Sequence, residues 1–391
     1  MDLTWTDEQR ELRTRFHRFA REHIAPGSAE RDRTETFDRK LWDRLAGSGF
    51  WHVHVPKRFG GDGGDLWDHV AAFEGLAGGA DDCGFVLSAA AHGGLLQLLL
   101  RFGTEEQCER FVPELLSGRL GATAATEAGG GSHVSAVTTS ARRLPDGGFV
   151  LNGDKSHITN APMADLMMIV GRVAGIGDRD ITLFLVDKDQ AGVERGGHEE
   201  LLGLRASPLG PIALRDVEVP ADRVLGGVGR GLDVLYWTLA FDRLVYGIVV
   251  AAHLEALLPV ALDRITTRRA FGAPLADHEY IQEKIVDIQL TIESARALSY
   301  AATGALRDQD GTARASMLAS CAKLLSAEGL MRSALELVQI FGHLGFARST
   351  GLERHLRDAV AFRIAGGTNE MQKKNIFTQV LRAHRADRAQ H

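Results

Sequence analysis

Twice along the chain the spacing of apolar residues changes period, and each change marks a change of architecture. Up to about residue 120 the apolar positions recur every three to four residues, as at Leu12, Phe16, Phe19, Ala20 and Ile24. That is the stripe of one helix face. Thr6-Asp7-Glu8-Gln9 reads as an N-cap with an acidic first turn, and Pro26 as the stop. Further helices are expected over 37–46, 66–77 and 85–102, and after Thr104. From 121 to about 225 the period drops to two, over 136–142, 148–151, 166–173, 181–186 and 212–219, with Gly, Pro, Asn and Asp between the runs. Short alternating runs so bounded make a mostly antiparallel sheet. From Gly231 the helical period returns over 232–267, 277–306, 312–341 and 369–384, four long amphipathic segments that suit a bundle. The expected fold class is therefore α+β, mostly α. A helical domain covers residues 1–120, a middle antiparallel β-domain 121–230, and a four-helix bundle 231–391.

The densest local signals lie between Gly121 and Asn160. Asn152-Gly153 is a type I′ turn pair, because both positions of that turn need φ > 0, so 149–151 and 158–159 read as the arms of a hairpin. Gly129-Gly130-Gly131 lets a backbone come close to a flat or anionic ligand, since no Cβ intervenes. Thr126, Ser132 and Thr159 add hydroxyls around it. In isolation the stretch fits an ordinary loop equally well.

Composition removes several classes of function. The net charge is −6 and the basic residues are spread among acidic ones, which argues against nucleic acid as a partner. Three distant cysteines show no metal or redox spacing, as expected for a reducing compartment. The acidic start and the shortness of the apolar runs predict neither a signal peptide nor a membrane span. A cytoplasmic enzyme without membrane contact is the expectation.

Six motifs in order resemble those of the acyl-CoA dehydrogenase family across essentially the whole chain. Ala125 to His133 (ATEAGGGSH) is similar to its TEPGAGSD flavin loop, and Asn152 to Asn160 (NGDKSHITN) to its NGxKxWITN segment. Val224-Leu225-Gly226 with Gly229-Arg230-Gly231 resembles the turn into the bundle. Arg268 to Gly272 resembles RxxFG, Gln339 to Gly342 resembles QxxGG, and Gly367 to Glu370 is GTNE. The resemblance implies FAD held between the β-domain and the bundle, with Thr126 on the flavin ring, Ser132 near the phosphates and Thr159 facing N5. It implies that Arg268, Phe271, Gln339 and Gly342 reach the cofactor of a neighbouring subunit in a homodimer or homotetramer. Thr368 and Glu370 would meet its AMP portion at a helix N-terminus, where backbone N–H groups favour anions. His157 stands where the family has a tryptophan; it can stack on the flavin or donate a hydrogen bond.

The implied reaction is α,β-dehydrogenation of an acyl thioester, carried by CoA or an acyl carrier protein, with an electron-transfer flavoprotein as oxidant. A carboxylate takes the proton next to the carbonyl while hydride leaves for flavin N5. In much of the family that carboxylate is a glutamate just before the Gly-Thr of the last motif; here the position is Gly366. A minority of members resembling isovaleryl-CoA dehydrogenase carry it on the first bundle helix, in ERLV. Asp242-Arg243-Leu244-Val245 stands there in this chain, which makes Asp242 the candidate base and Arg243 a candidate contact at the thioester end. Aspartate is shorter than glutamate by about 1.5 Å, and an ordinary charged pair on a helix face is the competing reading. Ala365 and Gly366, both small, are expected to leave room for a branched or substituted acyl group. A flavin oxidase or monooxygenase on the same fold, and a flavoprotein without turnover, are the alternatives.

Overall fold

The computed structural model describes residues 5–177, 179–308 and 312–390; the start of the acidic N-terminal stretch, residues 1–4, lies outside them. Six helices come first: α1 (Asp7–Phe19), α2 (Ser28–Thr34), α3 (Arg39–Gly47), α4 (Leu66–Ala80), α5 (Cys83–Phe102) and α6 (Glu105–Leu116). Thr6 caps α1 and Thr104 caps α6, each through a reciprocal box with the glutamine three residues on. α5 is apolar around most of its circumference because it runs through the middle of the molecule. It and the later helix Gly231–Thr267 are each long and apolar enough to cross a membrane, but both are mostly buried core helices.

The middle of the chain forms an eight-stranded sheet: β1 (Gly121–Ala124), β2 (Ser140–Arg143), β3 (Phe149–Thr159), β4 (Leu166–Val173), β5 (Ile181–Asp187), β6 (Val193–Arg195), β7 (Leu209–Val219) and β8 (Val224–Leu225). The order is β6-β7-β3-β2-β4-β5-β8, with β1 also on β4. Most pairings are antiparallel; β1 and β2 run parallel to β4. Asn152-Gly153 departs from expectation. It turns no hairpin, and β3 runs straight through it, paired with β7 and bulged between Leu151 and Gly153 and again between Lys155 and Ile158. The Asn152 side chain bonds across to Asp216. Glycine is needed at 153 because a Cβ there would fall 2.5 Å from Thr139 Oγ1. The same dipeptide that closes a tight turn also suits a bulge, since both need an unusual φ.

The remaining elements are α7 (Gly231–Thr267), the small ladder β9 (Arg269–Ala270) and β10 (Ala273–Pro274), α8 (Glu279–Arg307), α9 (Thr312–Phe341), α10 (His343–Phe346), α11 (Leu352–Phe362) and α12 (Asn369–Gln390). α7, α8, α9 and α12 make the expected bundle. One continuous apolar core joins it to the N-terminal helices and one face of the sheet, while a second core fills the sheet's other side. α5 packs on both β1 and α7, so the three layers meet along one seam.

Candidate active site

At the seam the loop after β1 is fastened to β3 by a buried ion pair. The Glu127 carboxylate accepts from Lys155 Nζ (2.7 Å), from the N–H and hydroxyl of Thr138 (both 2.6 Å), and from the N–H (3.0 Å) and hydroxyl (2.6 Å) of Thr139. Burial works against its charge, but Lys155 and the threonines prevail and hold it at about 2. Burial lowers Lys155 in turn. Glu127 and Lys155 each lie within a motif quoted above, yet neither carries a role there. An acid and a lysine among apolar and hydroxyl neighbours were the available signal. The Ser156 N–H adds a bond to the Thr126 carbonyl (3.0 Å), and the Asn160 amide donates to the carbonyls of Ser88 and Gly121. Loop, strand and α5 are thus locked together.

Thr126 and Thr159 directly flank two members of this framework, Glu127 and Asn160. Both threonines are partly exposed, and among the described residues neither hydroxyl has a hydrogen-bond partner. Six residues after Thr126, Ser132 is exposed, and a Cβ added at Gly129 or Gly131 would meet nothing within 4 Å. His157 sits in the second bulge of β3 with φ 55, an uncommon conformation for a residue with a Cβ. Its ring is exposed, with Nδ1 2.8 Å from Glu199 Oε2.

Asp242 stands on the face of α7 turned toward α5. A Cβ at Gly94 would lie 3.0 Å from Asp242 Oδ1, so glycine there gives the carboxylate its place. Asp242 and Arg243 do not form the charged pair that sequence left open. Among the described residues the carboxylate has no ion pair or hydrogen bond, and Arg243 turns away to the Gly366 carbonyl (3.2 Å) and Ser320 Oγ (3.4 Å). Burial pushes Asp242 up to about 7, with Arg243 only partly opposing. A carboxylate in that range is poised to take a proton near neutral pH.

Three side chains hold the loop from Ile364 to Thr368. Arg243 and Gln372 reach the Gly366 carbonyl, and Gln372 and Lys323 reach that of Gly367, at 2.7 and 2.8 Å. Burial, with Arg243 nearby, lowers Lys323 to about 8. Gly366 has φ 66, and a Cβ on it would fall 2.4 Å from Tyr246 Cε2. The room expected beside Gly366 is therefore filled by the Tyr246 ring; Ala365 remains partly exposed. Thr368 opens α12, its hydroxyl accepting from the Met371 N–H (3.4 Å), with Glu370 exposed in the first turn.

Family models for the acyl-CoA dehydrogenase N-terminal, middle and C-terminal domains match residues 6–119, 122–217 and 229–381. The chain belongs to the acyl-CoA dehydrogenase family. It is 31% identical over 387 residues to mitochondrial isovaleryl-CoA dehydrogenase of Solanum tuberosum, covering 97% of this chain and 92% of that protein. The structure of butyryl-CoA dehydrogenase from Megasphaera elsdenii superposes with a TM-score of 0.92 at 32% identity, covering 97% of this chain and all of that one. The prolyl acyl carrier protein oxidase AnaB does so at 0.92 and 29%, covering 96% and 100%.

Acyl-CoA dehydrogenases are FAD-binding oxidoreductases, and the residues at the seam fit that group. Two unpartnered threonine hydroxyls and an open glycine edge offer what a polar, planar ring and its phosphates need. The other four candidates cluster elsewhere. Arg268 and Phe271 follow α7, and Gln339 and Gly342 end α9, all four exposed, with Phe271 98% so. Arg264 stacks on the Phe341 ring (5.4 Å), which ties the two helix ends together. From Asp242 to Arg268 is 26 residues of helix, about 39 Å at 1.5 Å per residue. Asp242 and Arg268 thus lie far apart along one rod.

Proposed function

We propose that this protein withdraws two hydrogens from adjacent carbons of an acyl thioester, with Asp242 taking the proton beside the carbonyl. The observation that carries this reading is the isolated, partly buried Asp242 carboxylate in a chain whose alternative position for the base is Gly366. Desolvation raises its proton affinity, and its lack of a partner leaves its lone pairs free for substrate. Bound FAD would supply the hydride acceptor. Thr126 and Thr159 would hold its ring, Ser132 its phosphate side, and Thr368 and Glu370 the far end at the α12 N-terminus. Arg243 fixes the loop at Gly366, where the thioester end of the substrate would lie beside Ala365. Both carriers have support among the relatives, CoA in the isovaleryl enzyme and a carrier protein in AnaB. The exposed Arg268, Phe271, Gln339 and Gly342 would complete a neighbour's cofactor site in a homodimer or homotetramer. A cytoplasmic location and an electron-transfer flavoprotein as oxidant complete the reading.

The test is anaerobic mixing of FAD-loaded protein with a panel of acyl thioesters, followed by flavin absorbance. Wild type should bleach. Asp242→Asn should keep its flavin and lose on the order of 10²–10⁴ in reduction rate; an unchanged rate removes Asp242 as the base.

A second reading, a flavin oxidase or monooxygenase, is favoured by the exposed His157–Glu199 contact in the segment that resembles the family's flavin-facing one. Rapid reoxidation by air with an oxygenated product would select it over dehydrogenation.

A further inference from the structure

Tyr246 is the group near Asp242 that the reaction as written does not use. It lies one turn further along α7, so the two side chains share a face with Cβ atoms about 5–6 Å apart. Its ring occupies the space a side chain at 366 would take, and packs edge-on against Phe362 with centroids 5.8 Å apart and planes at 77°. The ring is therefore held between α7, α11 and the glycine loop. Its hydroxyl has no hydrogen-bond partner among the described residues, yet it is not sealed from open space. Burial and the neighbouring Asp242 carboxylate both raise its pKa, so it remains a neutral O–H donor.

A donor in that state is costly beside an all-carbon ligand. Covering an unpaired phenol with methylenes forfeits its hydrogen bond to water, whereas a ligand bringing an acceptor restores it. Sites built this way discriminate strongly against analogues that lack the acceptor, more strongly than apolar pockets discriminate by size.

We propose that Tyr246 is a substrate-specificity residue whose hydroxyl donates to an oxygen or nitrogen borne by the acyl group next to the carbons being dehydrogenated. The preferred substrate class is thus a short acyl thioester with a hydroxyl or amino substituent, not a plain hydrocarbon chain. This rests on the acyl-thioester reading above and narrows it. The phenol forms no covalent bond and transfers no proton; it orients the acyl group so that its C–H faces Asp242.

The experiment compares butyryl, 2-hydroxybutyryl and 3-hydroxybutyryl pantetheine thioesters on FAD-loaded wild type and Tyr246→Phe. The phenylalanine keeps the ring and hence the packing on Gly366 and Phe362. Flavin reduction is followed anaerobically, and binding is measured by calorimetry in an Asp242→Asn background that does not consume the ligand. Wild type should prefer a hydroxylated thioester, and Tyr246→Phe should weaken its binding about 10- to 100-fold while leaving butyryl within about threefold. An equal loss for all three, or none for any, overturns the role of Tyr246 while leaving the dehydrogenase intact. Failure of every thioester to bleach wild-type flavin overturns the underlying reading and this one with it.

Discussion

Asp242 owes its raised proton affinity to its burial and to the partners it lacks. Arg243, adjacent in sequence, is spent on the Gly366 carbonyl, and Gly94 clears a seat against α5. With a folded-state pKa near 7, flavin reduction should rise with pH along a limb centred near that value and level off above it, measured in single-turnover mixing. The same shift has a stability consequence of definite sign. The folded state holds the Asp242 proton more tightly than the unfolded chain does, so between about pH 4 and 7 stability falls as pH rises. Asp242→Asn removes that loss. It should be more stable than wild type at pH 8, by on the order of 4 kcal/mol, with a higher melting temperature and the difference vanishing near pH 4. Gly94→Ala places a methyl 3.0 Å from the carboxylate oxygen and should slow reduction about tenfold or more by moving the proposed base. Asp242 could be named from sequence by its place in a motif. Its isolation, its seat at Gly94 and the filled space beside Gly366 could not, because each depends on contacts between segments over a hundred residues apart.

At the scale of elements, β3 carries the most consequence in the fewest residues. Its two bulges turn Lys155 inward to Glu127 and leave His157 outward in a left-handed conformation. The limits of most expected helices were legible to within a few residues because capping threonines and stop signals act locally, whereas the short helices α2 and α11 were not anticipated. β4 and β5 were equally legible, but β3 was not, since whether Asn152-Gly153 turns or bulges is decided by Thr139 and Asp216 across the sheet. Removing one partner of a buried pair leaves a stranded charge, at about 3–5 kcal/mol. Lys155→Met should therefore lower the denaturation midpoint by that order and release flavin on gel filtration, with Glu127→Gln milder. The Glu127 contribution is present above about pH 4.5, the range of an unfolded glutamate, and is lost as pH falls toward 2.

At the scale of the whole molecule, four histidines are held neutral inside it at physiological pH. His54 and His69 meet through their Nδ1 atoms at 2.8 Å, and His253 Nε2 meets His355 Nδ1 at 3.1 Å; burial lowers all four, with His54 near 3 and His253 near 4. The unfolded chain binds these protons first, so stability should fall as pH drops below about 6.5, by about 1.4 kcal/mol per unit for each histidine. A thermal melt series from pH 8 to 5 reads this directly. The other whole-molecule feature is the length of α7, which keeps Asp242 about 39 Å from Arg268. If the exposed cluster at Arg268 and Phe271 serves a neighbour, each working centre is the joint property of two chains. Two defective proteins would then repair one another. In an exchanging dimer of Asp242→Asn with Phe271→Asp, one centre inherits both lesions and the other inherits neither. Random mixing would restore about a quarter of wild-type activity from two inactive parents. A centre contained within one chain would restore none.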